Sequence, residues 1–176
     1  MNLTKRIIRL LINLIIVAAL IIIDQFTKQL AVATLKDKPA FTIIQGVFEL
    51  NYLENRGAAF GMLQNQKILF IIIGLVMLLL VSVILYKLPS DKKFIPFEIS
   101  LLLIASGAVG NMIDRIFNNY VVDFFYFKLI NFPIFNVADI YVTVSCIVIV
   151  ILVLFVYKDA DFDFLKLKKK KDNETN

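Results

Sequence analysis

The sequence contains no histidine. Ser-His-Asp and Cys-His catalysis need an imidazole as the base, so both kinds of active site are excluded. The zinc proteases that carry His-Glu-x-x-His are excluded for the same reason. Any chemistry in this chain must therefore use carboxylates, lysines, hydroxyl groups or the backbone.

Cysteine and charged residues are also scarce. The one cysteine, Cys146, has no partner for an intramolecular disulfide, so it says little about the compartment. Charged residues make up 19% of the 176 residues, whereas 60% are hydrophobic, and the mean hydropathy is +0.82. This composition is typical of an integral membrane protein, and the length predicts a single domain over residues 1–176. The lysines cluster near the chain ends and in one loop, so we expect no nucleic-acid partner.

Four apolar stretches, at about residues 7–26, 68–86, 94–113 and 140–157, are long enough to cross a bilayer as helices. The first is also typical of a secretory signal peptide that ends at the small residues 31–33. We favour a retained span, because the other three need it for an even count. Residues 33–66 contain short β-prone runs around Gln45-Gly46, which predict a small sheet at the membrane surface.

Positive charge predicts the orientation of these spans. Twelve of the 19 lysines and arginines fall within residues 5–9, 87–93 and 158–171. Both termini, the 87–93 loop and the tail of residues 158–176 are therefore expected in the cytoplasm. The basic run of residues 168–171 is expected to lie near anionic membrane lipid. The 33–66 segment and the stretch of residues 110–139 then face outward, and we expect residues 110–139 to form one loop whose two ends fold together.

The outward stretch contains three carboxylates, Asp114, Asp123 and Asp139, among apolar neighbours. Ionisable groups are costly near hydrocarbon, so their presence indicates a functional site. Two carboxylates that share one proton can hydrolyse an amide without a metal or cofactor, because one deprotonates water while the other protonates the substrate. Asp123 and Asp139 have apolar neighbours that favour the shared proton, whereas Asp114 adjoins Arg115. The residues thus predict Asp123 and Asp139 as the pair and Asp114 as support.

Five motifs together resemble the lipoprotein signal peptidase (signal peptidase II) family. They are Asp24-Gln-x-x-Lys28, Asn55-Arg-Gly-Ala-Ala-Phe-Gly61, Gly110-Asn-Met-Ile-Asp-Arg115, Val121-Val-Asp-Phe124 and Phe135-Asn-Val-Ala-Asp139. The resemblance extends from the first span through the fourth. It implies an all-α integral membrane protein with four transmembrane helices and a small extracytoplasmic β-sheet cradle.

The resemblance also implies an activity and a location. The family consists of intramembrane aspartic endopeptidases of the bacterial cytoplasmic membrane. They remove the signal peptide of a lipid-modified prolipoprotein immediately before its diacylglyceryl-modified cysteine, and globomycin-type antibiotics inhibit them. No cofactor or metal is implied.

Residue roles are implied by the matching positions. The catalytic pair falls on Asp123 and Asp139. Four further positions would hold the substrate backbone and shape the site, namely Asn55, Asn111, Arg115 and Asn136. Four others would be structural, namely Asp24, Lys28, Gly57 and Asp114.

The sequence departs from the family pattern at a few places. Asn119 stands where glycine is common, and we expect the turn to survive because asparagine tolerates positive φ better than most residues. Ile140 replaces a common serine, and the tryptophan often found in this loop is absent. We expect these changes to tune the site without abolishing activity.

Three other classes of function compete with this interpretation. A small transporter or channel would use intramembrane acids as a proton relay, but the acids cluster at one surface and only Glu98 lies near the opposite boundary. A Ser-Lys peptidase needs an outward serine, whereas the serines lie within spans or on the predicted cytoplasmic side. A non-enzymatic assembly subunit would have no use for the acid cluster.

Overall fold

The computed structural model describes residues 3–58 and 62–166. Within these ranges, four helices are long and apolar enough to cross a membrane. The helices within these spans are α1 (Leu3–Leu35), α2 (Lys67–Lys87), α3 (Ile95–Asn118) and α4 (Val137–Ile151). The fourth span reaches its full length by continuing to Val156. Three antiparallel strands form a sheet in the order β1 (Phe41–Ile44), β2 (Phe48–Asn55) and β3 (Val121–Phe127). The predicted fold class, four membrane helices with a small β-sheet, is confirmed.

Short irregular helices complete the described chain. The 3₁₀ segments are Lys92–Phe94, Lys128–Ile130 and Asp159–Leu165, and the π-helical segment Leu152–Val156 continues α4. Residues 59–61 of the 55–61 motif and the basic run of residues 168–171 lie outside the described ranges.

Helix α3 forms the centre of the helical layer. It packs against α1, α2 and α4, and many of its side chains are buried. In contrast, α1, α2 and α4 expose apolar side chains along most of their length, as helices in contact with hydrocarbon do. The side chains of α3 that were predicted to form the site are therefore held between the other elements.

Helix α1 is longer than predicted. It continues to Leu35, although the apolar pattern predicted an end near residue 26. Its last turns are stabilised by the sheet, because Ala31 and Leu35 pack in a buried cluster with Val122 and Phe124 of β3. Asp24 and Lys28 consequently lie inside this helix and do not end it.

Strand β3 was predicted as part of a loop, and that prediction is wrong. Residues 121–127 pair with β2, with Leu53 opposite Asp123 and Asn55 opposite Val121. The chain reverses into this strand at Asn119, which ends α3 with φ +66°. Asparagine thus adopts the left-handed conformation expected of it, and Lys67 Nζ donates to its Oδ1 at 2.8 Å.

The end of the molecule opposite the sheet gathers the segments that positive charge assigned to one side. Arg9 of α1 binds the carboxylate of Glu98 at 2.7 Å and donates to the carbonyl of Leu88 at 3.1 Å. Lys93 pairs with Asp161. Glu98 also accepts from Asn13 at 2.7 Å. Its charge is therefore compensated within the structure, which weakens the case for a proton relay.

Candidate active site

The two predicted catalytic carboxylates come from different elements and meet at Asn136. Asp123 lies in β3, and Asp139 lies in the first turn of α4. Asn136 precedes that helix and forms a reciprocal capping box with Asp139, an arrangement that satisfies otherwise unpaired N–H groups. Its Nδ2 donates to Oδ1 of Asp123 at 2.6 Å, and its backbone N–H donates to Oδ2 of Asp139 at 3.1 Å.

Two further asparagines complete the shell of amides around the pair. Asn55, at the end of β2, donates from Nδ2 to Oδ2 of Asp123 at 2.8 Å. Asn111, on α3, donates from Nδ2 to Oδ1 of Asp139 at 2.8 Å. Every carboxylate oxygen of the pair therefore accepts at least one hydrogen bond.

Asp123 is only 1% exposed. Burial raises the pKa of its carboxyl, and the negative charge of Asp139 raises it further, to about 7. The hydrogen bonds from Asn55 and Asn136 oppose this shift, because they favour the ionised form. With its pKa at about 7, Asp123 can hold a proton near neutral pH.

A cleft of about 540 Å³ opens onto the pair. Both aspartates line it, together with the polar residues Asn55, Asn111 and Arg115. The remaining wall includes the hydroxyl-bearing Thr143 and apolar side chains, among them Phe70, Val121, Phe132, Pro133, Ile134, Phe135, Ile140 and Val144. Asn136 is fully buried and absent from this lining, so it shapes the site by holding the carboxylates.

Arg115 connects the cleft to the segment that follows β2. Its Nη2 donates to the carbonyl of Gly57 at 3.2 Å, and its guanidinium lies 4.5 Å from the ring centroid of Phe70. Gly57 in turn donates its N–H to Oδ1 of Asn55 at 2.9 Å. A Cβ at Gly57 would lie 2.5 Å from the carbonyl oxygen of Met62, so this close approach requires glycine.

Behind the pair lies a buried charged cluster. Lys28 Nζ contacts Asp24 Oδ2 at 2.9 Å and Asp114 Oδ2 at 3.0 Å. Asp24 accepts the N–H of Ala138 at 3.0 Å, and Asp114 accepts the N–H of Val122 at 3.2 Å. These contacts attach α4 and β3, the two elements that carry the predicted catalytic pair, to α1 and α3. They support structural roles for the three charged residues.

Arg115 was predicted to be the charged partner of Asp114, but the ion-pair partner of Asp114 is Lys28. No role was predicted for Gln25. Its Nε2 lies 3.1 Å from Asp24 Oδ2, 3.1 Å from the carbonyl of Gly110 and 3.2 Å from Asp114 Oδ1. The sequence feature that could have indicated a role for Gln25 is its position inside the motif of residues 24–28.

No three carboxylate or thiol side chains in residues 3–58 and 62–166 converge as a set of metal ligands. The arrangement is instead suited to acid–base chemistry by two carboxyl groups that face a cleft.

Known proteins resemble this chain in sequence and in structure. Residues 16–155 match the family model for signal peptidase (SPase) II. The lipoprotein signal peptidase of Caldanaerobacter subterraneus subsp. tengcongensis is 43% identical over 136 residues, which cover 77% of this chain and 90% of that protein. The lipoprotein signal peptidase of Streptococcus thermophilus is 44% identical over 132 residues, which cover 75% and 85% of the two chains.

A bacterial membrane enzyme solved by the in meso method at 2.3 Å resolution has a similar structure. The TM-score is 0.71 at 30% sequence identity, and the match covers 90% of this chain and 94% of that one. The match to the family model and these relatives show that the chain belongs to the signal peptidase II family of bacterial integral membrane peptidases.

Proposed function

We propose that the protein is an aspartic endopeptidase that removes the signal peptide from prolipoproteins immediately before the diacylglyceryl-modified cysteine. The observation that carries this proposal is the convergence of Asp123 and Asp139 on one cleft through Asn136. Membership of the signal peptidase II family supplies the substrate class. Two relatives that are lipoprotein signal peptidases agree with it.

The carboxyl groups divide the acid and base steps. Asp139 takes a proton from a water molecule as the water oxygen attacks the scissile carbonyl carbon. Asp123 donates its proton to the carbonyl oxygen, which becomes a hydroxyl of the tetrahedral intermediate. When the intermediate collapses, the C–N bond breaks and Asp139 returns its proton to the leaving nitrogen. Asp123 recovers a proton from the hydroxyl that becomes the new carbonyl.

The remaining cleft residues are suited to holding the substrate. Asn55 and Asn111 each use one amide hydrogen on a carboxylate, and each Nδ2 carries a second hydrogen that can bind a substrate carbonyl. Arg115 presents its charge to the same space. The apolar wall is suited to the lipid chains of the modified cysteine. Globomycin-type inhibitors are expected to occupy this cleft in competition with the substrate.

The proposal includes the arrangement of the chain in the membrane. Residues 1–176 act as a single domain with both termini in the cytoplasm. The catalytic pair then lies near the outer surface of the cytoplasmic membrane, under the sheet. Prolipoprotein and membrane lipid are the partners.

The test compares Asp123→Asn and Asp139→Asn with the unchanged protein in a cleavage assay on prolipoprotein, with and without the diacylglyceryl group. Each substitution should lower kcat by at least about 10³-fold, because each removes one half of the acid–base pair. Insertion into the membrane should be unchanged. Full activity in either variant would contradict the aspartic mechanism, and cleavage of the unmodified substrate alone would contradict the proposed specificity.

A further inference from the structure

We propose that Lys28 is a positioning residue, which fixes the orientation of the Asn111 side-chain amide and thereby holds Asp139 in its catalytic place. The inference rests on the proposed function, because it concerns the carboxylate assigned there as the base. It gives Lys28 a part in catalysis beyond the structural ion pairs.

All three hydrogens of the Lys28 ammonium have acceptors. Asp24 and Asp114 accept two of them, and Oδ1 of Asn111 accepts the third at 2.9 Å. The side chain is 3% exposed, so no bulk water competes for these hydrogens. An ammonium group only donates, which means that the oxygen of the Asn111 amide must face Lys28.

This constraint determines what Asn111 offers to Asp139. With Oδ1 directed at Lys28, Nδ2 points to Asp139 and donates to its Oδ1 at 2.8 Å. A rotated amide would place Nδ2 against the ammonium and against Nδ2 of Asn136, which also donates to Oδ1 at 3.1 Å. It would also place Oδ1 against the carboxylate of Asp139. Both encounters are repulsive, so Lys28 selects the orientation that supports the carboxylate.

The other two amides around the pair are fixed by backbone groups. The N–H of Gly57 donates to Oδ1 of Asn55 at 2.9 Å, and the N–H of Asp139 donates to Oδ1 of Asn136 at 3.0 Å. Among the described contacts, Asn111 is the one amide of the three whose orientation is fixed by a charged side chain, Lys28. Lys28 is therefore the position at which amide orientation can be changed by substitution.

Lys28 is absent from the residues that line the cleft. Its removal should accordingly lower kcat while KM stays unchanged, because the chemistry is disturbed but the substrate contacts are not. Lys28→Met should lower kcat by about 10²-fold, a loss that a small misplacement of a catalytic group can cause. General distortion of the cleft would raise KM as well.

A double-mutant cycle separates positioning from a purely structural role. The steady-state kcat of cleavage is measured for Lys28→Met, Asn111→Ala and the double variant, with prolipoprotein carrying the diacylglyceryl group as substrate. In the Asn111→Ala background, Lys28→Met should lower kcat by less than about twofold, because the amide on which it acts is gone. The matched cycle uses Asn55→Ala, whose amide is fixed by Gly57. In the Asn55→Ala background, the losses of kcat caused by the two substitutions should multiply.

Lys28→Met leaves Asp24 and Asp114 without their cation and can impair folding. The second variant, Lys28→Met with Asp114→Asn, keeps the total charge of the cluster constant, and its cycle is measured against Asp114→Asn alone. Multiplicative losses with Asn111→Ala, or failure of both Lys28 variants to fold, would overturn the proposal in favour of a structural role.

The aspartate variants identify the origin of a failure. Inactive Asp123→Asn and Asp139→Asn together with multiplicative losses would overturn only the role of Lys28. Cleavage retained in Asp139→Asn would overturn the proposed function and this inference together, because Lys28 is argued to act on that carboxylate.

Discussion

Asn136 donates hydrogen bonds to both carboxylates of the proposed catalytic pair, whereas Asn55 donates only to Asp123. Asn136→Ala removes the donor to Asp123 and the side-chain cap of α4. We expect it to lower kcat by about 10²-fold and to destabilise the fold by about 1 kcal/mol, the typical loss for an N-cap. Asn55→Ala should lower both kcat and the stability of the fold by less than Asn136→Ala does. Activity and melting temperature in detergent would check this order, and equal losses would contradict it.

The raised pKa of Asp123 predicts a pH dependence. Asp123 must be protonated to act as the acid, and its pKa is about 7. Therefore kcat/KM should fall on the alkaline side of pH 7, by about tenfold for each further pH unit, since this quantity reports the ionisation of the free enzyme. The measurement is a pH profile of kcat/KM in detergent, with folding checked at each pH. A rate that stays constant up to pH 9 would rule out Asp123 as the acid.

At the scale of elements, the contact between α3 and α4 determines where Asp139 lies. A Cβ at Gly107 would be 2.6 Å from the carbonyl oxygen of Ala138 and 2.8 Å from a methyl group of Val142. Gly107→Ala should thus displace the start of α4, destabilise the protein by about 1–3 kcal/mol and reduce kcat. Melting temperature and cleavage rate would show both effects.

Gly74→Ala is the matched control for this substitution. Gly74 is also within a membrane helix, but its added Cβ would meet only the sulfur of Met112 at 3.5 Å, an ordinary contact. Stability and activity should remain close to those of the unchanged protein. Similar losses in the two variants would show that the effect of Gly107→Ala is not specific to the α3–α4 contact, since alanine favours a helix over glycine at both positions.

Strand β3 is held to α3 through Asp114, which accepts the N–H of Val122. Asp114→Asn keeps an oxygen for this N–H but loses the charge that faces Lys28. We expect the melting temperature to fall and activity, per folded molecule, to fall by less than about tenfold, because Asp114 does not line the cleft. A loss of kcat as large as that of Asp139→Asn in a stable protein would assign Asp114 a catalytic role.

At the scale of the whole molecule, the two ends differ in charge and in structure. The proposed orientation predicts that Lys38, near the sheet, is outside the cell and that Lys92, before α3, is inside. Single cysteines at these exposed positions would be introduced after Cys146→Ser, since Cys146 is exposed and free. A membrane-impermeant maleimide should label Lys38→Cys in intact cells and Lys92→Cys only after lysis. The reverse pattern would invert the topology.

Much of the fold, and the hypothesis of a reacting carboxylate pair, could be predicted from the residues alone. Apolar runs of bilayer length predict the four helices, because hydrophobic segments of that length are stable in hydrocarbon. The lack of histidine and the apolar neighbours of Asp123 and Asp139 predict a carboxylate pair as the reacting groups. The turn at Asn119 was also predicted from the sequence, because the tolerance of positive φ is a property of the single residue type.

Other features depend on contacts between distant segments and could not be read from local pattern. The extension of α1 to Leu35 follows from its packing under β3, and β3 itself forms because β2 offers it an edge. By itself, the short apolar run of residues 121–127 is compatible with either a strand or a loop. Pairing with β2 determines that it is a strand.

Residue type and order are enough to predict the membrane class, the family and the two acids that we propose to react. The assembly of the site depends on the tertiary structure. Lys28 of α1 meets Asn111 of α3, and Asn136 lies between Asp123 and Asp139, contacts that join residues far apart in the chain. Hydrogen bonds depend on distance and direction in space, so only the folded chain shows which amide serves which carboxylate.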